Sequence, residues 1–215
     1  MRICILFAFC CLTFNGFSQS FRVSGIVLAN SSDKVSAIYN DGFSYTGTIE
    51  GGLQWGGTAE YLFNEKYGVE FSFQNYKTTL PISFTTGRGT GERDYALRIG
   101  WWMLKCNRYF GQKSNKFQGF AGIGAGANIA VAHNYWAEES SEAYLAFQAN
   151  TGVIYWVAKP VGLKLNVQYQ YSPKGTGDVF LFGDKSVGAK SSSSISQFGL
   201  GLGLVFVLDG LANTK

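Results

Sequence analysis

The sequence predicts an all-β fold: an eight-stranded antiparallel up-and-down transmembrane β-barrel. Three observations predict it. Apolar residues recur at every second position through most of the chain, the period of a strand whose two faces meet different surroundings. The intervening positions carry mainly Gly, Ser, Thr, Gln and Asn rather than Lys and Glu. The connections between these segments alternate between a shorter and a longer set, as they do when strands run up and down a barrel.

The N-terminal segment reads as a secretory leader. Arg2 supplies the positive start, "ICILFAFCCLTF" (3–14) is the apolar core, and Gly16-Phe17-Ser18 places small residues for a cut before Gln19. The division is therefore 1–18 signal peptide and 19–215 barrel domain. Phe7 and Phe9 crowd the positions where a lipid-attachment signal at Cys10 or Cys11 wants small residues. Cys4, Cys10 and Cys11 leave with the leader, so the mature chain keeps only Cys106 and forms no internal disulfide.

Eight strands follow, at about 21–29, 46–63, 67–77, 93–106, 116–131, 143–157, 161–173 and 195–208. The second alternates from Ile49 through Leu53, Trp55 and Tyr61 to Phe63, with Glu50, Gln54 and Glu60 between. "NEK" (64–66) is a tight turn, and the third strand continues with Tyr67, Val69, Phe71 and Phe73 against Glu70 and Gln74. The fourth is read with Tyr95, Leu97, Ile99, Trp101 and Met103 in its apolar row. The seventh sets Leu163, Leu165 and Val167 against Lys164, Asn166 and Gln168; the eighth sets Leu200, Leu202 and Leu204 against Gly199, Gly201 and Gly203. The turns at 64–66, 107–115 and 158–160 form the shorter set. Those at 30–45, 78–92, 132–142 and 174–194 form the longer, loop-rich set.

The fifth strand contains "GFAGIGAGANIAVAHN" (119–134), in which Gly122, Gly124 and Ala127 match the dinucleotide-binding spacing G-x-G-x-x-[G/A]. That motif must follow a strand and open a helix. Here the alternation runs straight through the glycines and no helix follows, so the stretch is a strand with small residues on one face and no nucleotide is expected.

The polar face decides which side is inside. It is small and largely neutral, which suits a crowded barrel interior better than a water-facing surface. The apolar row is therefore placed outward, against lipid, with Leu165 and Leu202 near mid-membrane. Tyr61, Phe63, Tyr67, Trp101, Tyr155 and Phe206 fall toward the short-turn ends, and Tyr45, Phe73, Tyr95 and Tyr169 toward the long-loop ends, as two aromatic girdles.

The leader, the strand–turn–strand "GGTAEYLFNEKYGVEFSFQNYKT" (56–78) and the Gly-alternating strand 116–131 resemble the small outer-membrane β-barrels, OmpA/OmpX-like and PorT-like. The resemblance covers essentially the whole mature chain. It implies an outer-membrane location, contact with membrane lipid and lipopolysaccharide, and loops that could carry a protein or ligand partner.

The lumen row is expected to hold Glu50, Glu60, Glu70, Asp94, Arg98 and Lys164. Counting outward from the 64–66 turn pairs Glu60 with Glu70, and two carboxylates so close need a shared cation. Arg98 is expected to supply it, with Lys164 as the alternate, and the cluster is expected to plug the barrel rather than line a channel.

The single histidine, His133, has Glu138, Glu139, Ser140, Ser141 and Glu142 nearby in sequence, but position 135 is Tyr and the His-x-Ser spacing of the lipid A-deacylating barrels is missing. No catalytic residue, metal site or cofactor is expected. A net charge of +4 is too mild to point to nucleic acid. The expected role is structural or loop-mediated interaction. A narrow transporter of small or apolar solutes is the alternative, and a lipid A-modifying enzyme comes third.

Overall fold

A computed structural model of the chain describes residues 20–38, 44–64, 66–86, 89–111, 116–133, 140–158, 160–176 and 193–208. The leader (1–18), Glu138 and Glu139 lie outside the described residues. Ten strand segments run in chain order: β1 (Ser20–Asn30), β2 (Asp33–Ile38), β3 (Ser44–Ile49), β4 (Leu53–Leu62), β5 (Tyr67–Thr86), β6 (Gly89–Phe110), β7 (Phe117–His133), β8 (Ser140–Ala158), β9 (Val161–Thr176) and β10 (Ser193–Val207). The segments β1 and β2 continue one wall strand, and β3 and β4 another, so the wall has the eight strands expected. Every pairing is antiparallel, and β1 against β10 closes the ring.

The ladder can be followed once round the wall through Arg22, Glu60, Glu70, Lys105, Gly124, Gln148, Gln170 and Gln197. Extending the Asn30–Gly199 pairing by two residues brings that line back to the first wall strand at position 32, ten residues above its start at position 22. This stagger tilts the strands, as closure of a sheet requires. It also puts residues far apart in sequence on one belt of the interior.

The interior and exterior are inverted relative to a water-soluble protein. Gln54, Gln118, Asn128 and Gln197 are fully buried, whereas Leu53, Ile123 and Leu202 are 69%, 71% and 67% exposed. Leu165 and Leu202 face outward as expected. Gly122, Gly124 and Gly126 of β7 and the glycines of β10 face inward, and several of them have no room for a side chain. A Cβ on Gly126 would run into the Trp102 carbonyl oxygen, and one on Gly201 into the Val27 carbonyl oxygen.

Three expectations are corrected. The fourth wall strand has the opposite phase: Tyr95, Leu97, Ile99, Trp101 and Met103 are buried in the lumen, while Ala96, Arg98, Trp102 and Leu104 face out. Both of its rows are apolar, so alternation could not choose between them. Second, the alternation does not run unbroken through 46–63. Between β3 and β4 the inward positions change from odd (Tyr45, Ile49) to even (Gln54, Thr58, Glu60), and β1 and β2 change together at 31–32. Gly51 sits at this break, so close to the neighbouring wall that a Cβ would lie 2.5 Å from the Asn30 carbonyl oxygen. Third, the segment 78–92 is not a long loop. The β5–β6 ladder continues through it to Thr86–Gly89, where Gly89 takes a positive φ of 146°.

The girdles are corrected accordingly. Trp101, Tyr45 and Tyr95 belong to the interior. The exposed ring at the short-turn end is Phe21, Tyr67, Phe110, Phe117, Tyr155 and Phe206; the one toward the long-loop end includes Trp55, Trp102, Phe147 and Phe198.

Candidate functional site: a lumen filled in tiers

The lumen is the concave surface that a barrel of this size offers for function, and its side chains fill it in four tiers. The tier nearest the short turns is apolar: Leu62, Tyr109, Phe120, Ile154 and Val205, with Trp156 against them. Arg22, 2% exposed, lies over this tier. Its guanidinium sits 4.8 Å from the Tyr109 ring centroid and 5.2 Å from that of Trp156, and it donates to Gln118 Oε1 at 3.3 Å. Aromatic faces stabilise a cation most where water is excluded.

The next tier carries charge. Glu60 and Glu70 are direct ladder partners on β4 and β5, because the Phe63 amide donates to the Tyr67 carbonyl across the turn and sets the register. The turn itself is held by the Asn64 side chain, whose Oδ1 accepts from the amides of Lys66 and Tyr67. Lys105, the partner of Glu70 on β6, places its ammonium 2.6 Å from Glu70 Oε1, and Lys164 reaches Oε2 at 3.3 Å from across the barrel. Lys164 also lies 4.6 Å from the Phe120 ring centroid.

Glu60 is satisfied differently. It accepts from Asn107 Nδ2 at 2.8 Å and from the Tyr109 hydroxyl at 2.5 Å. The same Asn107 amide donates to Glu70 Oε2 at 3.0 Å, so one amide ties the two carboxylates together. Among the described residues the fully enclosed charges are Arg22, Lys105 and Lys164 against Glu60 and Glu70, an excess of one cation. Arg22 carries that excess, opposite Glu60 in the β1–β4 register and stacked on rings.

Above the charges lies a tier of amides. Gln74 and Gln168 exchange hydrogen bonds at 3.2 and 3.0 Å. Gln54 and Gln170 donate to Gln74 at 3.1 and 2.9 Å, Gln148 donates to Gln168 at 3.0 Å, and Asn30 donates to Gln54. These residues come from β1, β4, β5, β8 and β9, so the amides brace the ring across its diameter. The top tier is apolar again, with Ile49, Leu80, Leu97, Ile99, Trp101 and Met103 packed together beside Tyr76, whose hydroxyl accepts from Gln197 Nε2.

Of the charges expected inside, Glu60, Glu70 and Lys164 are in the lumen. Glu50, Asp94 and Arg98 are not; all three are exposed. Glu50 falls at the break between β3 and β4, where the phase changes. Asp94 and Arg98 fall on the outer row of β6, the strand whose phase was reversed. Lys105 therefore takes the place expected of Arg98. Two charged lumen residues, Lys105 and Arg22, escaped sequence reasoning. A signal for Lys105 existed: it shares a parity with Asn107, the only two polar residues in the odd row from 95 to 109.

His133 ends β7 with its backbone opposite Ala96, and Ser140, Ser141 and Glu142 belong to the start of β8 rather than to a loop. Among the described residues, no group of His, Cys, Asp and Glu could hold a metal ion. Cys106 is exposed on the outer face.

No family model matches the sequence, and no curated protein sequence matches it. Solved structures do match. Neisserial surface protein A is similar with a TM-score of 0.55 and 16% identity, over 86% of this chain and 96% of that one. The outer membrane protein OprG from Pseudomonas aeruginosa is similar with a TM-score of 0.55 and 16% identity, over 88% and 96%. The outer membrane protease OmpT from Escherichia coli is similar with a TM-score of 0.50 and 8% identity, over 88% and 97%. At these identities the likeness is one of fold, and the fold is that of the small outer-membrane β-barrels.

Proposed function

We propose that this chain is an exported outer-membrane barrel with a structural or interaction role, sealed along its axis and presenting its long-loop end to partners. The observation that carries this reading is the filled lumen. Four tiers of side chains cross the interior, and the middle two are cross-braced by ion pairs and amide hydrogen bonds between distant strands. An eight-stranded barrel leaves space mainly for side chains. The exposed apolar band between the two aromatic rings supports a lipid surround, because so large an apolar surface is costly in water.

Export in this reading uses the leader at residues 1–18, so the mature chain begins at Gln19. Partner specificity belongs to the ends of the long hairpins, including the β5–β6 extension. No residue is assigned a catalytic role.

The test is electrical. Purified protein in a planar bilayer should give no resolved single-channel steps, and Glu70→Ala should not create them while the amide tier stands. Steady, ion-selective steps from the wild-type protein would favour the narrow-transporter reading instead.

A further inference from the structure

We propose that a notch on the outer wall, across β4, β5 and β6, binds the phosphorylated headgroup of an outer-leaflet lipid. This inference rests on the membrane reading above and adds a site to it.

The notch is built around a like-charge pair. Lys77 and Arg98 are direct ladder partners on β5 and β6, and both side chains are exposed on the outer face. Like charges directly opposite each other destabilise a sheet. Among the described residues neither has an acidic partner within salt-bridge distance. Glu50, whose backbone pairs with β5 at Thr79, is exposed and makes no ion pair among the described residues. The pair is therefore an unneutralised site of double positive charge.

Below the pair, Asn75 faces Gly100. Gly100 is buried, and a Cβ built there would meet the Ile129 carbonyl oxygen at 3.7 Å and the Trp102 indole nitrogen at 3.8 Å, so the floor beside Asn75 is closed by backbone and the Trp102 ring. Asn75 is a polar residue at the level of the upper aromatic ring, opposite Trp55, and its Oδ1 is buried without a hydrogen-bond partner. The whole notch, lined by Leu53, Trp55, Asn75, Tyr76, Lys77 and Arg98, has a volume of about 580 Å³.

Depth selects the ligand. Trp55 and Trp102 belong to the ring that marks the membrane interface, and Lys77 and Arg98 lie on the loop side of it. Leu53 and Trp55 are 69% and 58% exposed beside the cations. A ligand that satisfies both halves is amphipathic: a phosphate for the Arg fork and the Lys point charge, and acyl chains for the apolar wall below. A free phosphate would leave that apolar wall unused.

The test is native mass spectrometry of the full chain released from nonionic detergent micelles. The probes are lipid A, its dephosphorylated counterpart and phosphatidylcholine, with flotation of the same preparations on vesicles in parallel. The wild-type protein should retain lipid A in preference to both controls. The double variant Lys77→Gln/Arg98→Gln should lower that retention on the order of thirtyfold, from the loss of two interfacial cations. Lys34→Gln, an exposed lysine away from the notch, should leave it unchanged. Equal retention by the double variant, or equal binding of the dephosphorylated lipid, would overturn the site while floating protein keeps the membrane reading intact. Wild-type protein that does not float with vesicles would overturn both.

Discussion

Removing the Lys105 ammonium leaves Glu70, 1% exposed, with one cation, Lys164 at 3.3 Å, and the Asn107 amide. A buried charge that loses its nearer partner keeps the full cost of its desolvation. Lys105→Met should therefore lower barrel stability by roughly 3–5 kcal/mol, read as the urea midpoint of the folded band on unboiled gels. Glu70→Gln in the same background should recover part of that loss, because it removes the charge that was stranded. The asymmetry between the two carboxylates sharpens the test. Glu60 is held by Asn107 and Tyr109 rather than by an ammonium, so Glu60→Gln should not rescue Lys105→Met to the same extent. Equal rescue by the two glutamines would mean that Lys105 neutralises the pair as a whole, not Glu70 in particular.

At the scale of the strand, each face sets its own cost. Leu202 and Leu165 point outward in the apolar band, so Leu202→Arg and Leu165→Arg should each cost roughly 2–4 kcal/mol, whereas Asp94→Arg on the exposed β6 extension should cost little. Similar tolerance at the two kinds of site would mean that the leucines do not face lipid. On the inner face Gly126 is pressed against the β6 backbone, so Gly126→Val should cost at least the 1–3 kcal/mol of an overpacked site and slow formation of the folded band. These faces were legible where one row was plainly polar. Lys164, Asn166 and Gln168 oppose Leu163, Leu165 and Val167, and no other reading of that strand is reasonable. The same clarity, counted from a three-residue turn, placed Glu60 opposite Glu70. Legibility failed on β6, where Leu97, Ile99 and Trp101 in one row meet Trp102 and Leu104 in the other. Over 95–104 its own residues leave the phase open, and only Lys105 and Asn107 beyond them mark the odd row as the inner one. It failed again at 50–52, because a one-residue break leaves no trace in composition beyond the glycines at 51 and 52. The error at Arg98 follows from the first failure and that at Glu50 from the second.

For the whole molecule, closure converts a sequence of alternating strands into an object with an apolar outside and a polar middle. The ladder sets Arg22, Glu60, Glu70 and Lys105 side by side on β1, β4, β5 and β6, and closure of the ring brings Lys164 of β9 across to Glu70, which counting from one turn cannot reveal. The apolar top tier has the same origin: Tyr45, Tyr76, Leu97 and Trp101 come from β3, β5 and β6 and meet because β3 and β6 flank β5 in the ring. The inside-out arrangement rests most directly on two neighbours in the chain, Trp101 and Trp102, which are 0% and 43% exposed on opposite faces of one strand. They can be separated by fluorescence. Two variants, each keeping one of the pair and carrying Phe at the other and at Trp55, Trp136 and Trp156, would be reconstituted in vesicles with and without lipid brominated on its acyl chains. Emission from Trp102 should be strongly quenched by the brominated lipid, and emission from Trp101 should be nearly unaffected. Quenching of Trp101 with Trp102 protected would contradict the orientation of the wall, and no quenching of either would contradict the lipid surround itself.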